Sequence, residues 1–123
     1  MKIFIVIGLF AMALGVILGA FGAHGLKGKI EPNLLAAYQT GVEYHLYHAL
    51  GLLLVGVLAF HFPQAAGFKW GSWLLLWGIL LFSGSLYLMA FTGLRWLGAI
   101  TPLGGTAFIV GWVWIAWSVI RSV

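Results

Sequence analysis

The sequence predicts an all-α, polytopic membrane protein: four transmembrane helices in an antiparallel bundle, the fourth interrupted near Pro102. Three observations carry this. Hydrophobic residues make up 63% and charged residues 7% of 123 positions, with a mean hydropathy of +1.12. A water-soluble domain this small cannot bury so much apolar surface, whereas a bilayer accepts it. The apolar residues also fall into four runs of about 20, the length that crosses a bilayer as a helix. Finally, the turn Thr92-Gly93-Leu94-Arg95 is so short that the fourth span must run antiparallel to the third. The whole chain, residues 1–123, therefore reads as one membrane domain with spans at 3–23, 42–62, 72–91 and 97–120.

The first run, Ile3 to Ala23, follows Lys2 and ends in small residues, so a cleaved signal peptide has to be weighed against a first span. The run is long for a signal, and Leu18 or Phe21 would occupy the small-residue position in the better cleavage frames. A span is the stronger reading, with cleavage after Gly22 as its alternative. From His24 to Thr40 the chain is polar, and Glu31-Pro32-Asn33 looks like a helix start with Pro in the first turn. The second helix is thus expected to begin outside the membrane, with Gly41 as a bend before the apolar stretch from Leu46 to Phe62. Phe62-Pro63-Gln64 ends it. The third span is followed by the turn Thr92-Gly93-Leu94-Arg95. The fourth carries Pro102, Gly104 and Gly105, which mark a helix break.

Charge and composition exclude several functions. The net charge of +4 rests on six scattered Lys and Arg against two Glu, which offers no basic patch for nucleic acid. The absence of Cys and Asp excludes thiolate metal sites, thiol nucleophiles and Asp-dependent catalytic centres. No catalytic residues, metal or cofactor are assigned. The loop cations are tied, with Lys2, Lys69 and Arg121 on the face bearing the termini and Lys27, Lys29 and Arg95 on the other, so they set no orientation. Six of the seven Trp lie toward the termini face, as interfacial anchors or, alternatively, as an aromatic cage for a ligand.

Two patterns remain. Ala11, Gly15, Gly19 and Ala23 recur every fourth residue, a groove for close helix packing against either this chain or a second copy. Gly41 to His48 concentrates Glu43, Tyr44, His45, Tyr47 and His48, groups that are costly to leave unpaired in a low-dielectric medium. Counting along the helices at about 1.5 Å per residue places His48, Tyr87 and Thr101 at similar depths below one face. The candidate ligand or proton site is therefore His24, Glu43, His45, His48, Tyr87 and Thr101, with a hydrogen-bonded structural belt as its plain alternative. A metal reading of His24, His45, His48 and Glu43 lacks the usual ligand spacing.

Gly19-Ala20-Phe21-Gly22-Ala23-His24-Gly25-Leu26, Tyr38 with Thr40-Gly41, Tyr47-His48-Ala49-Leu50, Phe82-Ser83-Gly84-Ser85-Leu86-Tyr87 and Ile100-Thr101-Pro102-Leu103-Gly104-Gly105 together resemble the domain of unknown function family 423. These are small bacterial inner-membrane proteins similar to eukaryotic transmembrane protein 256. The resemblance covers nearly the whole chain and implies an inner-membrane location and a four-helix arrangement. It implies no activity, so no catalytic residue carries over.

The expectation is a non-enzymatic inner-membrane protein whose partners are the bilayer and a second copy or another binding partner, its polar half holding water, lipid headgroups or protein. A small-molecule ligand is not defined. One alternative is a transporter or channel for protons or a small polar solute; another is a lipid- or quinone-linked enzyme subunit.

Overall fold

The computed structural model describes residues 1–122. Helix α1, Lys2–Phe21, runs on through a π-helical turn at Gly22–Leu26 to complete the first span. A turn follows in which Gly28 takes a φ of +80°, open to glycine at no steric cost. Helix α2 is Pro32–His61. The third span is α3, Gly67–Gly78, a π-helical turn at Ile79–Ser83, and α4, Gly84–Thr92. Gly93, at φ +72°, closes α4 by donating its N–H to the Met89 carbonyl at 2.8 Å, a left-handed C-cap. A 3-10 turn, Arg95–Ala99, leads into α5, Thr101–Arg121. The described residues contain no strand, and all four spans are long and apolar enough to cross a membrane.

The interruption near Pro102 takes the form of a junction between the 3-10 turn and α5. Leu103 N–H donates to the Ile100 carbonyl at 3.0 Å, and Pro102 sits in the first turn of α5. Its missing N–H removes no helical bond there, because first-turn amides have no intrahelical acceptor. At Gly41, where the sequence suggests a bend, α2 continues as helix. Glycine serves there by what it lacks: a Cβ would press on Leu86 Cβ and Tyr87 Cε1, both at 3.2 Å.

The spans pack in series. The inner pair is α2 and the third span; α1 lies mainly against α2, and α5 mainly against α3 and the π turn that follows it. Lipid tails are as apolar as Leu, so association depends on close packing and interhelical hydrogen bonds. Glycines provide the approach. Gly8, Gly15 and Gly22, seven residues apart, are buried on the first span, and a Cβ on each would run into Leu53, Leu46 and Tyr38 respectively. Between the third span and α5 the same service comes from Gly71 against Ile115, Gly78 against Phe108 and Gly104 against the backbone of Phe82.

These contacts also set the depth of each residue. Gly15, beside the middle of the Lys2–Leu26 span, faces Leu46. The midplane of the bundle therefore crosses α2 near Leu46.

Candidate functional site: a polar clasp around His45

His45 is the hub. It is 2% exposed, and its two ring nitrogens reach two different spans: Nε2 lies 2.8 Å from the Ala11 carbonyl of α1, and Nδ1 lies 2.8 Å from the Tyr87 hydroxyl of α4. A carbonyl oxygen only accepts, so Nε2 carries a proton and donates. In the neutral ring Nδ1 is then the acceptor and Tyr87 donates to it. Gly15 makes the bond to α1 geometrically available, since its missing Cβ leaves room for His45 Cδ2 and Leu46.

Tyr38, seven residues before His45 and so on the same face of α2, repeats the arrangement. It is wholly buried and donates its hydroxyl proton to the Leu18 carbonyl at 2.5 Å, while its ring lies 5.2 Å from that of Tyr87. Also from the third span, Ser83 donates to the Gly41 carbonyl of α2 at 2.6 Å. Ser85 donates to the Phe82 carbonyl at 2.9 Å, which leaves Thr101 to donate to Ser85 across 2.6 Å. Thr106 donates back to the Pro102 carbonyl at 2.8 Å. Bonds between spans thus join α1 to α2, α2 to the third span, and the third span to α5.

The six residues expected to share one site do not all meet. His45 and Tyr87 do. Thr101 belongs to the neighbouring bond with Ser85. His48 turns toward α5, stacking on Phe108 with ring centroids 3.5 Å apart, and donates Nδ1–H to the Tyr44 carbonyl at 2.8 Å. His24 is exposed in the π turn after α1, and Glu43 is exposed on the outer face of α2. Of the small-residue stripe, Gly15 and Gly19 pack on α2 of the same chain and Ala11 supplies its carbonyl, whereas Ala23 is exposed. No three potential metal-ligating side chains cluster among the described residues. Near the membrane surface, Arg95 donates to Glu31 at 2.5 Å and ties the start of α2 to the last interhelical turn.

Residues 18–105, more than half of the chain, match the family described as protein of unknown function (DUF423). The chain belongs to DUF423. The matched DUF423 region contains every residue of the hydrogen bonds between spans named above except Ala11. Relatives extend over the full length. The UPF0382 membrane protein YwdK of Bacillus subtilis is 50% identical, covering 98% of each chain. UPF0382 membrane protein SH2409 of Staphylococcus haemolyticus is 43% identical over 100% of this chain and 99% of its own. UPF0382 membrane protein SERP0230 of Staphylococcus epidermidis is 45% identical, covering 92% of this chain and 91% of its own. No solved structure matches. Membership of DUF423, the relatives' description as membrane proteins and the four apolar helices agree that this is a membrane protein.

Tyr38, Ser83 and Ser85 stood outside the expected site. The signal for Tyr38 was available: its spacing of seven from His45 puts both on one side of α2. For Ser83 and Ser85 the sequence gives membrane depth and a hydroxyl donor but not the partner, because the π turn at Ile79–Ser83 changes which way each hydroxyl points.

Proposed function

We propose that this chain is a non-enzymatic, self-associating protein of the plasma (inner) membrane, and that the outward face of α2 is where it binds. Glu43 carries the proposal. It lies about 4–5 Å from the level of Leu46, well inside the hydrocarbon, which extends about 15 Å to either side of the midplane. It is exposed there and has no hydrogen-bond partner among the described residues. Intramembrane ionisable groups are expensive and almost always face protein or a water-filled cavity. Gln39 and Tyr47, four residues to either side, are also exposed and complete a polar stripe. A second copy presenting the same stripe would supply hydrogen-bonding partners at the same depth, as a two-fold interface does.

The clasp supports a structural role for the remaining polar groups, since their bonds go to one another and to backbone carbonyls. A conduction path would need polar lining in both halves of the bilayer, and α2 carries no polar side chain from Leu50 to Phe60.

The chain contains no Cys, so a single Lys29→Cys accepts donor or acceptor dye. Energy transfer between labelled copies diluted in vesicles should report a dimer or higher assembly. Glu43→Leu should weaken it about 3- to 20-fold, the worth of an interhelical hydrogen bond. A wild-type chain that stays monomeric at every dilution, or a Glu43→Leu chain that associates as well as wild type, refutes the reading.

A further inference from the structure

The Trp-rich end of the bundle, away from the clasp and the Glu43 stripe, holds a groove of about 810 Å³ between the start of α3 and the outer side of α5. Its lining changes with depth. Arg121 and Gln64 stand at the mouth. Trp117, Trp114 and Trp70 form the next level, and Val113 and Val110 lie below them. Along α5 these levels are about 6, 10 and 16 Å below Arg121 at Trp117, Trp114 and Val110. Cation, aromatic belt and aliphatic floor succeed one another as phosphate, glycerol backbone and acyl chain do across a leaflet.

A second groove of about 770 Å³ is lined by Trp73, Leu74 and Trp77, and shares Trp70 and Trp114 with the first. The Trp70–Trp114 pair is therefore common to two adjoining grooves, the first of which carries the Arg121 mouth. Among the described side chains, charge is one-sided here. Lys69 Nζ sits 6.0 Å from the centre of the Trp70 ring, and neither acidic side chain of the protein is near: Glu31 is paired with Arg95 at the opposite surface and Glu43 lies in the other half.

We propose that these paired grooves bind one anionic glycerophospholipid, its phosphate against the Arg121 guanidinium and its two acyl chains on either side of Trp70 and Trp114. Arginine suits a phosphate because its planar fork of donors matches the oxygens. The aromatic walls give rigid apolar surface at the level where a lipid changes from polar to apolar. This site is independent of self-association through α2.

The intrinsic Trp fluorescence tests it. The full chain is placed in vesicles of phosphatidylcholine and phosphatidylglycerol in which one lipid or the other carries brominated, quenching acyl chains. The expected result is a preference of about fivefold for phosphatidylglycerol, the factor contributed by one cationic side chain near the membrane surface. Arg121→Gln should bring the preference close to one and Arg121→Lys should retain most of it. Equal quenching by both lipids in the wild-type chain, or a preference unchanged in Arg121→Gln, overturns the site. Loss of the preference on adding inorganic phosphate, but not sodium chloride at equal ionic strength, would assign the mouth to the free anion and overturn the lipid.

Discussion

The two faces of α2 carry the same kinds of side chain at the same depth and meet opposite circumstances. On the inner face, Tyr38 and His45 each place a donor on a backbone carbonyl of α1, and His45 takes a second bond from Tyr87. On the outer face, Gln39, Glu43 and Tyr47 are exposed, Tyr47 to 60%. In water the outer set would be an ordinary solvated surface. In hydrocarbon it has no solvent to bond with, so the inner face is a joint already made within the chain and the outer face is, on the function proposed above, one to be made with another molecule. Changes on the inner side should therefore damage the fold of the single chain, and changes on the outer side should spare it.

The largest effect is expected where backbones meet. A Cβ at Gly104 would run into the backbone N and Cα of Phe82 in the π turn, which cannot rotate away as a side chain does. Gly104→Leu should push α5 off the third span, sever the Ser85–Thr101 bond and cost about 3 kcal/mol or more. The better helix propensity of Leu, about 0.8 kcal/mol over Gly, cannot offset this. Reversible unfolding in mixed SDS micelles, followed by Trp fluorescence, measures it; a variant as stable as wild type would mean that α5 does not approach the π turn this closely.

His45→Leu should come next. It removes two interhelical bonds while nearly preserving volume, and membrane hydrogen bonds are worth about 0.6–1.7 kcal/mol each, so a loss of about 1–3 kcal/mol is expected in the same titration. Combining it with Tyr87→Phe should give less than the sum of the two single losses, because the second substitution has no His45 bond left to break. Strict additivity would separate Tyr87 from the clasp.

Much of this architecture is legible in the sequence because the bilayer imposes it. Runs of about 20 apolar residues and a turn as short as Thr92-Gly93-Leu94-Arg95 leave little choice but antiparallel spans. Membership of the family is legible in the same way, from motifs spread along most of the chain. Facing is harder. The usual sign of which side of a helix is inside, an apolar stripe against a polar one, fades when lipid lies outside and protein inside. Depth alone therefore groups His45 with His48, although His45 reaches Tyr87 and His48 stacks on Phe108. What decides between them is the rotation of α2, set by close contacts such as Tyr38 on Gly22 of the first span and Gly41 on Leu86 and Tyr87 of the third. Gly41 itself suggests a bend in the sequence, and its service as a missing Cβ becomes visible only once Leu86 and Tyr87 are placed beside it.

The smallest expected effect on the single chain is the most discriminating. Glu43 makes no side-chain bond among the described residues, so Glu43→Leu removes nothing from the clasp and exchanges a polar group at membrane depth for one the lipid accepts. The unfolding free energy of the monomer, measured at dilutions where copies do not meet, should stay within about 0.5 kcal/mol of wild type or rise. His45→Leu, only two positions along the same helix, should lose several times that amount. Should Glu43→Leu instead destabilise the isolated chain as much as His45→Leu does, then Glu43 is bonded inside the monomer and both faces of α2 belong to the fold. The stripe of Gln39, Glu43 and Tyr47 would then leave no open bonds for a second copy to satisfy.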